Sequence, residues 1–143
     1  MAEGITIRRA RLDEVDQILA VWREAEATPG VTDDRDGVCR LLQTPHAMVL
    51  VAEADGRIAG TVIGAWDGWR GNIYRLAVAP GFRRRGLARS LVAEADRSLA
   101  RLGARRITAL VDGDHPWAVD FWNTLAASGY RHDEFMCRYV KTL

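Results

Sequence analysis

"LAVAPGFRRRGLARSLVAEA", residues 76–95, runs from the apolar end of a strand through Pro80 and Gly81 into three arginines, a glycine and an apolar pattern at helical spacing. Leu87, Leu91, Ala95, Leu99 and Leu102 form one stripe, so a long helix starts beside Gly86, with Gly103 as its C-terminal cap residue. A helix start carries unpaired backbone N–H groups and a partial positive charge, which makes it a ready anion site. Arg83, Arg84 and Arg85 oppose that end of the helix dipole unless an anion sits there. Gly86 and Ala88 are small enough to let a ligand approach the backbone. Guanidinium groups suit phosphate oxygens, so a diphosphate is the predicted guest. A solvated basic helix start with no ligand is the bland alternative. Two familiar phosphate loops are absent: there is no GxxxxGK[ST], and no GxGxxG follows a strand.

Outward from this junction the chain alternates strand and helix. "NIYRLAV", residues 72–78, reads as a strand with Asn72, Tyr74, Leu76 and Val78 on one face and Ile73, Arg75 and Ala77 on the other. Residues 47–66 read as a hairpin turning at Asp55-Gly56. "GITIRRA" is a first strand, and about 11–26 and 33–43 are helices, the second ended by Pro45. "RRITALVD" is a strand. Pro116 opens a helix with Ala118, Phe121, Trp122 and Leu125 on its apolar face, Gly129 stops it, and "FMCRYVKTL" is a last strand. The predicted fold is α/β (α+β): a mixed, mostly antiparallel sheet of six to seven strands, with about four helices on its two faces. Residues 1–143 read as a single domain, since no linker or repeat interrupts them.

The composition narrows the function. With 48% apolar and 27% charged residues the chain can bury a core, and its net charge of +1 argues against a nucleic-acid surface. No apolar run approaches the ~20 residues of a membrane span, and "MAEGITIRRA" lacks the apolar core of a secretory signal. Cys39 and Cys137 form neither a metal-ligand spacing nor a disulfide framework, so no metal is expected and a reduced, cytoplasmic protein is.

"VAPGFRRRGLARSLV" resembles the acetyl-CoA-binding segment of the GCN5-related N-acetyltransferase (GNAT) superfamily. Arg83, Gly86 and Ala88 meet its [Q/R]-x-x-G-x-[G/A] pattern. "ITIRRARLDEVDQILAVW" is similar to the family's first strand and helix, "VLVAEADGRIAGTVIG" to its second and third strands, and "AVDFWNTLAASGY" to its later helix and turn. The resemblance covers essentially the whole chain. It implies an N-acetyltransferase that moves acetyl from acetyl-CoA to a primary amine by direct attack in a ternary complex. It implies that strands four and five splay and that the thioester lies in the gap. The backbone amides of Arg83, Arg84, Arg85, Gly86, Leu87 and Ala88, with Arg89, would hold the pyrophosphate. Leu76, Ala77 and Val78 would pair with the pantetheine arm, and the Val78 N–H would stabilise the oxyanion. His115 and Phe121 would line the cofactor's other side.

Two family positions are altered. The carboxylate base six residues before the strand-end valine is Asn72 here, and the usual acid position is Trp122, or Leu125 if the helix is one turn longer. Water, Tyr74, His115, Tyr130 or Tyr139 remain as proton carriers, and a non-catalytic acyl-CoA sensor on the same fold is the alternative function. In the family, the loop between the first helices and the last hairpin shape the acceptor site. Here they carry Asp33, Asp34 and Asp36, and Asp133 and Glu134, with Trp66, Asp67 and Trp69 near the mouth. A cationic acceptor is therefore expected, met by Asp33, Asp34 and Trp69. Homodimers are common in the family and leave that state open here.

Overall fold

The structure is a computed structural model that describes residues 4–143. The chain divides into two compact units, Met1–Leu110 and Val111–Leu143.

The first unit holds β1 (Ile5–Arg9), a short 3-10 turn (Leu12–Glu14), α1 (Val15–Glu24), α2 (Arg35–Leu42), β2 (Ala47–Ala54), β3 (Arg57–Trp66), β4 (Gly71–Val78), a 3-10 turn (Pro80–Phe82), α3 (Leu87–Leu102) and β5 (Ile107–Ala109). The strands lie in the order β1-β2-β3-β4-β5. All neighbours are antiparallel except β4 and β5, which α3 joins as a parallel pair. The Asp55-Gly56 turn joins β2 to β3 as its sequence predicts, with both residues at positive φ.

Helices cover both faces of the sheet. On one face Val15, Ile18, Val21 and Trp22 of α1 and Val38 of α2 pack on Val49, Val51, Ile58, Ile63 and Ala77. On the other, Leu87, Leu91 and Leu99 of α3 are fully buried, each contributing roughly 2 kcal/mol of transfer free energy. α3 sits close to the strands because glycines face it. A methyl group at Gly60 would lie 3.1 Å from Leu91 Cδ1, and one at Gly71 would lie 3.0 Å from Leu99 Cδ1.

The chain enters α1 through a partly buried ion cluster centred on Glu14. Arg8 donates two hydrogen bonds to the Glu14 carboxylate, at 2.8 and 2.7 Å, and the Arg11 N–H donates a third at 2.8 Å. The Arg8 guanidinium first, and then the Arg11 N–H, hold the Glu14 carboxyl down at about 2, from an ordinary 4.5, against the opposing effect of burial. A depressed carboxylate stabilises the fold above its unfolded value and loses that stabilisation as pH falls towards the folded value. Glu14→Gln is therefore expected to lower stability by roughly 2 to 3 kcal/mol at neutral pH. Its thermal unfolding curve should converge on that of the wild type as pH drops from about 5 towards 2. A gap independent of pH would mean that the charge contributes nothing.

In the second unit, α4 (Pro116–Asn123) is followed by a 3-10 turn (Ala126–Ser128) that ends at Gly129, where φ is +94°. Trp117 stacks on Phe121 at 5.5 Å between ring centroids, and Trp122 meets Tyr130 edge-on at 5.0 Å.

Three sequence expectations are corrected. The sheet has five strands among the described residues, not six to seven. "FMCRYVKTL" forms no strand: Phe135 is 94% and Tyr139 93% exposed, and none of its residues enters the sheet ladder. Alternating β-formers need a partner edge before they become a strand. The sequence strand "RRITALVD" shortens to Ile107–Ala109, the residues in register with β4.

Candidate functional site

β4 is irregular where the site forms. Its ladder with β3 runs Trp66↔Gly71, Ala65↔Asn72, Gly64↔Ile73 and Ile63↔Tyr74, then resumes at Thr61↔Ala77 and Gly60↔Val78. Three steps on β4 thus face two on β3, a bulge with Arg75 in the left-handed region at φ +53°.

The extra residue breaks the two-residue alternation. Asn72 and Tyr74 share the face of Ala77, towards α1 and α2, while Val78 joins Ile73 on the α3 face. The expectation that Asn72, Tyr74, Leu76 and Val78 share one face is corrected accordingly, because even spacing preserves a face only along a regular strand.

The bulge also redirects the backbone. At the start of β4, the Gly71 N–H donates to the Arg106 carbonyl at 3.0 Å, and the Ile73 carbonyl accepts from the Leu110 N–H at 3.0 Å, so odd-numbered residues face β5. Further on, the Ala79 N–H donates instead to the Ala59 carbonyl of β3, at 2.8 Å. Strand amides alternate in direction, so the Val78 N–H points to the β5 side. The β4–β5 ladder has already ended there, its last register pair being Ile73↔Ala109. β4 and β5 pair only at the beginning of β4, and the segment carrying Val78 presents a backbone edge without a ladder partner among the described residues.

That edge leads into the arginine loop. Phe82 N–H donates to the Ala79 carbonyl at 2.9 Å, Arg84 is left-handed at φ +63°, and Gly86, the residue before α3, is left-handed at φ +83°. Left-handed residues within such a loop turn successive N–H groups inward as an anion-binding concavity. No side chain caps α3, and its first backbone bond runs from the Ser90 N–H to the Gly86 carbonyl at 3.0 Å. Leu87 and Ala88, in the first turn, therefore have no intrahelical acceptor for their N–H groups. Their side chains are buried in the core, so only their backbone can meet a ligand. Gly86 is required by its positive φ; a Cβ there would meet nothing within 4 Å, so the loop is open at this point.

The arginines diverge. Arg85 donates to Asp55 at the β2–β3 turn at 3.1 Å and lies over the Phe82 ring, 5.4 Å from its centroid. Arg84 and Arg89 are exposed, and Arg83 is half-buried.

Asp33 and Asp34, expected at the acceptor side, have partners in the chain. Asp34 caps α2, accepting from the Gly37 N–H at 2.8 Å. Asp33 accepts from the Gly30 N–H at 2.7 Å and pairs with Arg75 of the bulge. Trp69 is 71% exposed in the turn before β4, with the Arg70 guanidinium 4.2 Å from its ring centroid. Asp67 builds that turn, and the N–H groups of Arg70 and Trp69 hold its carboxyl below the usual range. In the second unit, His115 caps α4, its Nδ1 accepting from the Ala118 N–H at 3.4 Å, and Phe121 lies between Trp117 and Trp122.

Three residues here escaped the sequence reading: Trp22, Thr61 and Arg75. The Trp22 indole N–H donates to the Thr61 hydroxyl at 2.9 Å, and that hydroxyl donates to the Arg75 carbonyl at 3.2 Å. A lone hydroxyl in the apolar run "IAGTVIGA" was their one signal.

Among the described residues no group of His, Cys, Asp and Glu could hold a metal ion, and no helix is long and apolar enough to cross a membrane. A family model described as the acetyltransferase (GNAT) family matches residues 12–126. A Photorhabdus laumondii protein described as an acetyltransferase is 36% identical over 110 residues, 76% of each chain. A second, from Sodalis glossinidius, is 29% identical over 119 residues, 83% of this chain and 84% of its own. The aminoglycoside N-acetyltransferase AAC(6')-Iy, solved with CoA, superposes with a TM-score of 0.73 at 22% identity, covering 97% of this chain and 95% of that one, a likeness of fold.

Proposed function

The chain belongs to the acetyltransferase (GNAT) family, and from that membership we propose a route by which it moves acetyl from acetyl-CoA to a primary amine within a ternary complex. The observation that carries this reading is the β4 bulge, which directs the Val78 N–H to the open edge beside the uncapped start of α3. Acetyl-CoA supplies an activated acyl group as its thioester. The amides of residues 83–88 bind its pyrophosphate, with Arg83, Arg84 and Arg89 adding charge. The backbone edge at Leu76 and Val78 takes the pantetheine arm as an added strand, with Ala77 between them bonded to the β3 side. The Val78 N–H donates to the thioester oxygen as the amine nitrogen bonds to the carbonyl carbon; the C–S bond then breaks and CoA leaves as its thiolate, which takes a proton from water. Asn72 has no proton-accepting group, so the ammonium proton leaves through water that Asn72 and Tyr74 order on their shared face.

The acceptor class proposed is cationic. Asp33, Asp34 and Asp36 lie together in sequence around the loop before α2, and the exposed Trp69 ring offers a face for an ammonium group. The test is thiol release from acetyl-CoA across lysine peptides, peptide N-termini, polyamines and amino-sugars. Turnover with one amine class is the expected result. Tight CoA binding with no turnover anywhere in the panel would overturn amine transfer.

A further inference from the structure

We propose that Thr61 is a positioning residue for the transfer reaction, acting through the Arg75 carbonyl to aim the Val78 N–H. The inference rests on the oxyanion role of Val78 proposed above. Thr61 is fully buried on β3, opposite Ala77. Its hydroxyl holds two groups of fixed polarity: an indole N–H that can only donate and a carbonyl that can only accept. Its single proton must therefore go to Arg75, at 3.2 Å, and its lone pair to Trp22, at 2.9 Å. Arg75 is the left-handed residue of the bulge, and the register skips it, so its carbonyl meets this hydroxyl in place of a ladder partner.

The same residue is held by its side chain. The Arg75 guanidinium pairs with Asp33 and lies over the Trp22 ring, 5.6 Å from its centroid. Trp22 thus touches Arg75 directly through the ring and indirectly through Thr61. Backbone and side chain are fixed from the α1 side, and the bulge is held in the conformation that reverses strand parity before Val78. Without that reversal, the Val78 N–H would turn towards β3 and away from the open edge. Valine at 61 would match threonine in shape but would leave both the indole N–H and the Arg75 carbonyl without this partner.

The test is infrared spectroscopy of bound acetyl-CoA with an isotope-labelled thioester carbonyl, in wild type, Thr61→Val and Thr61→Ser, below the melting temperature of each. In wild type the carbonyl stretch should move to lower frequency on binding. Thr61→Val should lose most of that movement and Thr61→Ser should keep it, while CoA, held chiefly through its pyrophosphate at residues 83–88, should keep most of its affinity. Fold stability alone would not separate the carbonyl signal from CoA affinity in this way. A full shift in Thr61→Val overturns the proposal. No shift in wild type overturns the Val78 reading on which it rests. If Thr61→Val does not fold, Thr61→Ala serves instead, since it too removes the hydroxyl: a reduced shift supports the proposal and a full shift overturns it.

Discussion

Gly86→Glu should remove CoA binding from a protein that still folds. Gly86 stands at φ +83°, where a side chain costs about 1 to 2 kcal/mol. That is the main structural penalty, because a Cβ at this position meets no atom within 4 Å. An acidic residue at a helix start recovers part of it through the dipole. The carboxylate would lie against the amides of the first turn of α3, in the place proposed for the pyrophosphate. Losing one or two charge-assisted hydrogen bonds and adding like-charge repulsion should weaken CoA at least about 100-fold by calorimetry. Gly86→Asn separates charge from shape, since asparagine tolerates the left-handed region. It should bind CoA within about tenfold of wild type. Wild-type affinity in Gly86→Glu would place the pyrophosphate elsewhere.

Val78→Pro is the second large effect, and it concerns turnover. Proline removes the one N–H proposed to face the thioester oxygen. It is tolerated where a strand's N–H faces no neighbour, and the Val78 N–H points to the side where β5 no longer pairs. Its ring can fill much of the space of the buried Val78 side chain on the α3 face. Turnover should fall about 100- to 1,000-fold, the usual effect of removing an oxyanion donor, with CoA affinity largely kept. Ala77→Pro is the control. By strand alternation its N–H lies on the β3 side, opposite Thr61, so proline there should break the ladder and unfold the sheet. Kinetics, calorimetry and melting curves on the two variants distinguish a lost oxyanion donor from a damaged sheet.

The junction at residues 76–95 was legible because each part follows from a local rule. Gly86 marks a small, open position before the helix, the leucine stripe marks α3, and Gly103, at φ +115°, ends it. The helices on both faces and the hairpin at Asp55-Gly56 were legible from periodicity and turn chemistry. The bulge was not, because "NIYRLAV" looks like a regular strand and arginine carries no compositional mark of a positive φ. Only the opposing strand exposes the missed step. The sequence alone offers Asp33 as rim charge, because its partner Arg75 lies 42 residues away. The role of Asp34 was accessible, since aspartate directly before a helix is a common cap. The pairing of Thr61 with Trp22 spans 39 residues and depends on how α1 lies on the sheet.

The most direct measurement is amide NMR of the isotope-labelled protein titrated with CoA and then with acetyl-CoA. The expected result is that CoA moves the amide signals of residues 84–88 and of the Leu76–Val78 edge, and that acetyl-CoA adds a further shift concentrated at Val78. Signals that move elsewhere on the first unit, or an acetyl-CoA spectrum identical to that of CoA at Val78, would contradict the site described here.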